Sequence, residues 1–199
     1  GALGQVPLWR HQLAAATLAQ FAQASLSSWA VEAAAGRALL TLDLSGLHTA
    51  QGMRLHARAA DGGWRIDGQV GALALAEQSQ AALLLVSVEG QPRLALIELA
   101  NTAIKPVAGR MTHGEAIADL HIDGLLIGAE HLLPAAALDW LEPRAIAALA
   151  ALQLGVSSEQ IRRTVEYVTE RRQFERSIGS FQAVQMSMAN AHIALEALR

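Results

Sequence analysis

The period of the apolar pattern changes twice along this chain. Leu40, Leu42 and Leu44 alternate with Thr41 and Asp43, and Leu55, Ala57 and Ala59 alternate with Arg54, His56 and Arg58. On either side of this region apolar residues recur three or four positions apart instead. A period of two suits one face of a strand, and a period near 3.6 suits one face of a helix. The expected fold is therefore α+β: N-terminal helices over residues 1–36, a central antiparallel β-sandwich or barrel over 37–133, and a C-terminal helical bundle over 134–199.

From Val6 onward, Leu8, Leu13, Ala16, Leu18, Phe21 and Ala22 predict one helix of about three turns, with a second starting at Ser27 or Ser28 and stopped by Gly36. Turn signals in the middle region are Asp61-Gly62-Gly63, Asp67-Gly68, Glu89-Gly90-Gln91-Pro92 and Asp123-Gly124. The first predicts a hairpin between 54–60 and 64–66, and the third one between 82–88 and 94–99. Beyond Pro134, Ile146, Leu149, Leu152, Ile161, Val165 and Val168 form one expected core stripe, and Phe181, Val184, Met188, His192, Leu195 and Leu198 another. Ser157-Ser158-Glu159-Gln160 after Gly155 has the form of a capping box that would begin a new helix. A continuous helix is favoured, because one interior glycine costs only about 1 kcal/mol.

Composition bounds the function. The 199 residues, 52% hydrophobic, can bury a substantial core, and a net charge of -3 argues against a nucleic-acid surface. The basic charge is almost all Arg, with Lys105 the single Lys, and carries no functional weight. There is no Cys, so redox chemistry requires a bound cofactor. No apolar run reaches the length of a membrane span and the N-terminus lacks a signal-peptide layout, which makes a cytoplasmic location the expectation. The seven His show no metal-ligand spacing, so no metal is expected. The motifs of a nucleophile elbow and of a dinucleotide-binding glycine loop are absent. The four Met read as gap-filling residues.

The stretch Glu170 to Gln185 carries the most chemistry. Arg171 offers a planar fork that pairs phosphate oxygens bidentately. Gln173 can donate a neutral hydrogen bond to the same group, Phe174 can pack on a ring, and Gln182 opens the next apolar helix with a second carboxamide. The rival reading pairs Arg171, Arg172 and Arg176 with Glu166, Glu170 and Glu175 on a solvated face.

Arg171, Gln173, Phe174, Ile178 and Gln182 match, position by position, the pattern Arg-x-(Gln/Thr)-Phe-x-x-x-(Ile/Leu)-x-x-x-Gln, and the stretch resembles the signature of the acyl-CoA dehydrogenase family. Glu175 replaces the Gly usual after the Phe. Trp64-Arg65-Ile66-Asp67-Gly68 is similar to a family hairpin, and residues 117–127 to a family strand. Arg144 and Gly155 stand where the helix before the signature carries an Arg and a Gly. The order of helices, β-domain and helices is also the family's. The resemblance implies FAD, an acyl-CoA substrate, an electron-transfer flavoprotein as acceptor, and an oligomer in which the five signature residues reach the FAD of a neighbouring protomer. Against a typical member, much of the N-terminal helical domain and the helices after Arg199 are missing.

The part of the family that holds its own flavin is less well matched. A Thr-Glu-Pro-x-x-Gly-Ser-Asp loop corresponds here to residues 41–49, with Leu47-His48-Thr49 opposite Gly-Ser-Asp. A Trp-Ile-(Ser/Thr) strand corresponds to residues 71–74, with Ala72 and Ala74 at the indole and hydroxyl positions, and Val70 replaces a common Lys. The catalytic carboxylate of some members aligns with Ala145. Glu142 is one turn earlier and is the only candidate base, with the alternative that it is a dipole-favoured carboxylate at a helix start with Pro143 in the first turn. The resemblance thus implies a flavin-site-degraded subunit of a heteromeric, steroid-type acyl-CoA dehydrogenase. Alternatives are a self-sufficient homo-oligomer and a non-catalytic assembly subunit.

Overall fold

Two helices, α1 (Leu8–Phe21) and α2 (Ser27–Ala34), open the computed structural model, which describes residues 8–49 and 52–199. The expected start at Val6 lies outside the described residues. Gly36 ends α2 with a φ of +70°, while its N–H bonds the Ala33 carbonyl and the Arg37 N–H bonds that of Glu32. This pair of bonds satisfies carbonyls that the last helical turn leaves free.

Seven strands follow: β1 (Leu40–Asp43), β2 (Leu55–Ala60), β3 (Gly63–Ala74), β4 (Ala81–Val88), β5 (Gln91–Glu98), β6 (Ile104–Arg110) and β7 (Ala116–Gly128). They form one sheet in the order β1-β4-β2-β3-β7-β6, with β5 on the other side of β4. β4 runs parallel to β1 through residues 81–84 and parallel to β2 through 87–88, so both share one of its edges. The sheet is mixed where the alternation suggested antiparallel pairing throughout. Period-two patterning fixes which face a side chain takes and says nothing of strand direction.

β4 is buried on both faces. Ala82, Leu84 and Val86 join Ile66, Leu73, Leu120 and Ile122 in one core, while Ala81, Leu83 and Leu85 join Ala14, Leu18, Leu138 and Leu141 in a second. The second core carries the N-terminal helices and the start of α3 (Ala135–Glu170). Each fully buried Leu or Ile contributes about 1.5–3 kcal/mol.

The hairpins β2–β3 and β4–β5 form at the expected turns. Glu89 and Gly90 both take positive φ, as the tight two-residue turn between antiparallel strands requires. Pro92, however, lies inside β5 opposite Ser87. Asp67-Gly68 and Asp123-Gly124 are also not turns. They face each other within β3 and β7, where Asp123-Gly124 makes a bulge and the Gly124 N–H donates to Asp67 Oδ1 at 2.7 Å. A Cβ on Gly68 would stand 2.0 Å from the Arg54 carbonyl oxygen, so the glycine serves close strand approach.

The chain divides into two units, Gly1–Ala145 and Ile146–Arg199. α3 continues through Gly155 without a break, and the Ser157 capping box does not form. Two short strands, β8 (Arg172–Gln173) and β9 (Arg176–Ser177), and a 3-10 turn at Ile178–Ser180 lead into α4 (Gln182–Leu198). The expected core stripes here are largely uncovered: Ile146, Leu149, Leu152, Val165 and Leu198 are exposed, and Leu195 is the buried residue of α4. The helical period was legible, but a stripe shows only which face seeks apolar cover. No described helix is long and apolar enough to cross a membrane.

Candidate functional site

The signature residues occupy a β-hairpin between two helices in the second unit. Arg172 pairs with Ser177 and Gln173 with Arg176, leaving Phe174 and Glu175 as the two turn residues, at φ of 49° and 62°. Such a turn needs the left-handed region at both positions, which costs a side-chain-bearing residue about 1–2 kcal/mol. The Arg171 N–H bonds the Tyr167 carbonyl, and the Ile178 N–H bonds the Arg171 carbonyl, both at 2.8 Å. The hairpin is thereby closed at its base directly onto the end of α3.

Phe174 is 86% exposed and lies edge-to-face with Phe181, at 6.2 Å between ring centroids. Arg176 stacks on the other aromatic, its guanidinium carbon 4.0 Å from the Phe181 centroid. Arg172 donates to the Glu175 carbonyl at 2.7 Å. Those two arginines are therefore committed to the turn. Among the described residues, the guanidinium of Arg171 and the carboxamides of Gln173 and Gln182 have no hydrogen-bond partner. Glu166 pairs with Arg162 at 2.5 Å, and Glu159 is held at a pKa of about 2 by hydrogen bonds from Arg162 and Arg163. The helix-face pairing of Arg171 with its neighbouring acids is thus not formed. Arg176 on Phe181 was not expected from the sequence, although the Arg-x-x-x-x-Phe spacing across a short turn is the signal that could have suggested it.

The structure places Ile178 in the 3-10 turn and Gln182 at the first residue of α4. Gly179 follows Ile178 closely against α3: a Cβ there would be 3.0 Å from the Val168 carbonyl oxygen.

The region corresponding to the family's own flavin cradle belongs to the first unit. Several of its groups are already bonded within that unit. The Thr41 hydroxyl donates to the Ala74 carbonyl at 2.8 Å, and the Ala72 N–H donates to Asp119 Oδ1 at 2.7 Å. Asp43 accepts from the Ser45 hydroxyl and N–H. Burial pushes the Asp43 carboxyl above its ordinary range, a trend opposed by those Ser45 bonds and by Arg10. The cleft beside them, lined by Asp43, Thr49, Arg54, Gln69 and Leu85 among others, holds about 190 Å³. Small-molecule sites start near about 300 Å³. With no ring to stack on, and with the Thr41 hydroxyl and the Ala72 amide already bonded, this region does not fit an isoalloxazine. The Asp119 contact joins residues 47 apart in sequence and depends on strand register, which is why the sequence did not reveal it.

Glu142 is not at a helix start. α3 begins at Ala135, so Glu142 is in its third turn and Pro143 is inside the helix. Pro143 has no N–H to give the Asp139 carbonyl, a loss tolerated here between Leu141 and Ala145, both buried in the core. Glu142 Oε1 is 2.5 Å from His48 Nε2. Ala145 has no proton-transfer group. Among the described residues no three His, Asp or Glu side chains gather as a metal site.

Residues 144–199 match the family model described as acyl-CoA dehydrogenase, C-terminal domain. The chain is 32% identical to acyl-CoA dehydrogenase FadE27 of Mycobacterium tuberculosis (strain ATCC 25618 / H37Rv), an alignment covering 94% of this chain and 50% of that protein. Among solved structures, the ChsE4-ChsE5 complex from Mycobacterium tuberculosis superposes with a TM-score of 0.86 at 27% identity, covering 98% of this chain and 54% of that one. A variant of the Tcur3481-Tcur3483 steroid ACAD superposes with a TM-score of 0.83 at 28% identity, covering 96% and 53%. The chain spans about half the length of these relatives. With the signature's spacing, the α+β architecture and these likenesses in agreement, residues 144–199 carry the C-terminal domain of the acyl-CoA dehydrogenase family, and the chain along its length is similar to members of that family.

Proposed function

We propose that this chain is a subunit of an FAD-dependent acyl-CoA dehydrogenase that grips a cofactor held by a homologous partner subunit. The reaction is α,β-desaturation of an acyl-CoA thioester, with electron-transfer flavoprotein as the acceptor. FAD, when bound, would supply the hydride acceptor for the acyl β-carbon, and the assembled enzyme a base for the α-proton. The observation that carries this reading is an asymmetry: the signature's polar groups are unengaged, whereas the chain's own cradle has closed on itself.

Each signature group then has a task. Arg171 supplies a bidentate fork to the pyrophosphate and Gln173 a neutral donor beside it. Gln182, on the first turn of α4, bonds the adenosine portion. Phe174 offers its uncovered ring face, and Ile178 backs the turn. The base comes from elsewhere, since Glu142 is engaged by His48 and Ala145 replaces the aligned carboxylate. Two solved neighbours, the ChsE4-ChsE5 complex and the Tcur3481-Tcur3483 steroid ACAD, are named as two-component assemblies, which supports a heteromeric enzyme acting on a bulky thioester.

Purifying the chain alone and together with its partner tests this. Flavin absorbance is expected only in the co-purified complex, and Arg171→Ala should lower flavin retention there by about tenfold to a hundredfold, the worth of a charge-assisted bidentate contact. Stoichiometric flavin on the chain alone would refute the division of labour and favour a self-sufficient homo-oligomer. A complex without flavin would favour a non-catalytic assembly role.

A further inference from the structure

β6 is the last strand of the sheet on its side, and among the described residues it pairs with β7 alone. Residues 105–110 are all exposed. Three bonds fix which way its peptide groups point. The Ala103 carbonyl accepts from the Asp123 N–H at 3.1 Å, and the Met111 N–H donates to the Glu115 carbonyl at 2.9 Å. Both pairs extend the unbroken register of residues 104–110 against 116–122. In an antiparallel ladder, residues that exchange bonds with the partner strand alternate with residues whose N–H and C=O point away from it. Residues 103, 105, 107, 109 and 111 therefore bond β7, while 104, 106, 108 and 110 turn their peptide groups to the free edge. Ile104 agrees, since its N–H bonds the Asn101 carbonyl at 3.0 Å instead of β7.

A free edge is a template on which another chain can add a strand. Val107, 56% exposed, and Met111, 43% exposed, offer such a strand apolar contact as well. Pro106 stands at an outward position in the middle of this edge. Its missing N–H costs the β6–β7 ladder nothing, because that group would have pointed away from β7. It does withdraw a donor from the centre of the edge, and the ring occupies the space through which an added strand's carbonyl would approach. One residue earlier or later, a proline would break a bond to β7 instead. With the Ile104 N–H already bonded, the outward donors of the strand are those of Ala108 and Arg110, both at one end. We propose that Pro106 keeps the β6 edge from adding the same strand of a second copy of this chain.

The device is independent of the flavin grip, so the full chain tests it without cofactor. Sedimentation velocity over a concentration series reports association, and amide exchange followed by NMR reports where it occurs. In the wild type, exchange at Ala108 and Arg110 is expected to be independent of protein concentration. Pro106→Ala should associate as concentration rises, with exchange at those two amides and at the new amide of residue 106 slowed by about tenfold or more. Val107→Pro removes an inward N–H, so it should lower the urea midpoint more than Pro106→Ala does. Concentration-dependent protection of Ala108 and Arg110 in the wild type would overturn the proposal, as would a Pro106→Ala chain that associates no more than the wild type. Association that leaves the two amides unprotected would overturn it too, because the contact would then lie elsewhere, such as on the exposed apolar residues of α3 and α4. A Val107→Pro chain no less stable than Pro106→Ala would refute the assignment of inward and outward positions on which it rests.

Discussion

Replacing Phe174 by alanine separates a residue that stabilises its own fold from one kept for a partner. A fully buried phenylalanine contributes about 1.5–3 kcal/mol. At 86% exposure Phe174 realises about a seventh of that, a few tenths of a kcal/mol. The edge contact with Phe181 adds at most about 1 kcal/mol, less because it is wet. Alanine keeps the same left-handed φ of 49°, so backbone strain is unchanged. The expected loss for the isolated chain, read by urea unfolding, is therefore below about 1 kcal/mol. If the ring becomes covered in the assembled enzyme, the same substitution costs the remaining burial there, about 1.5–2.5 kcal/mol, or roughly tenfold to sixtyfold in subunit or flavin retention. Analytical ultracentrifugation and flavin release give the two numbers on the same variant. A loss of 3 kcal/mol or more in the isolated chain, or an assembly indifferent to the change, refutes the reasoning.

Asp43→Asn tests the closed cradle. Burial raises the folded-state pKa of Asp43 above its unfolded value, so the native state holds the extra proton between the two and stability falls as pH rises through the folded pKa. Asn keeps an acceptor for Ser45 without the buried charge, so urea midpoints should favour the variant at neutral pH and converge below the unfolded pKa. Gly68→Ala brings a Cβ to 2.0 Å from the Arg54 carbonyl oxygen at a φ of +132°, and a loss on the order of 3 kcal/mol is expected by the same assay. Wild-type stability would show that β2 and β3 can part there freely. Glu142→Gln removes the carboxylate from its contact with His48, whose side chain is 75% exposed, and the thermal midpoint should move by the equivalent of less than about 1 kcal/mol. A larger shift would mean that the pair anchors the residue 44–49 segment.

What the sequence made legible was local chemistry. Asp61-Gly62 and Glu89-Gly90 announced tight turns because few residues adopt positive φ, and the signature announced itself through spacing. Asp67-Gly68 and Asp123-Gly124 carried the same residue types yet became a facing pair inside a ladder. The distinction lies in which strand arrives opposite, and that is long-range information. The parallel pairing of β1 with β4, and the Ala72–Asp119 bond, were invisible for the same reason. Glu142 was misplaced by a local rule as well: Pro143 normally marks a first helical turn, but packing of Leu141 and Ala145 held it in the interior.

Sequence loss and structural closure need not go together, and their coincidence here is what favours a specialised subunit. A cradle that had only lost an indole and a hydroxyl would leave open space and free amides, ready to hold flavin weakly through its backbone. In this chain the Ala72 amide is taken by Asp119, the Thr41 hydroxyl by Ala74, and the adjoining cleft is small. Filling such groups removes the driving force for residual binding, because any flavin contact must first break a bond already made. The signature turn shows the reverse economy, tolerating two strained φ values and an uncovered aromatic ring. Strain of about 1–2 kcal/mol per residue persists where the strained geometry is used. The turn costs the isolated chain stability while its main polar groups remain unengaged, and the proposed function assigns the compensation to another molecule.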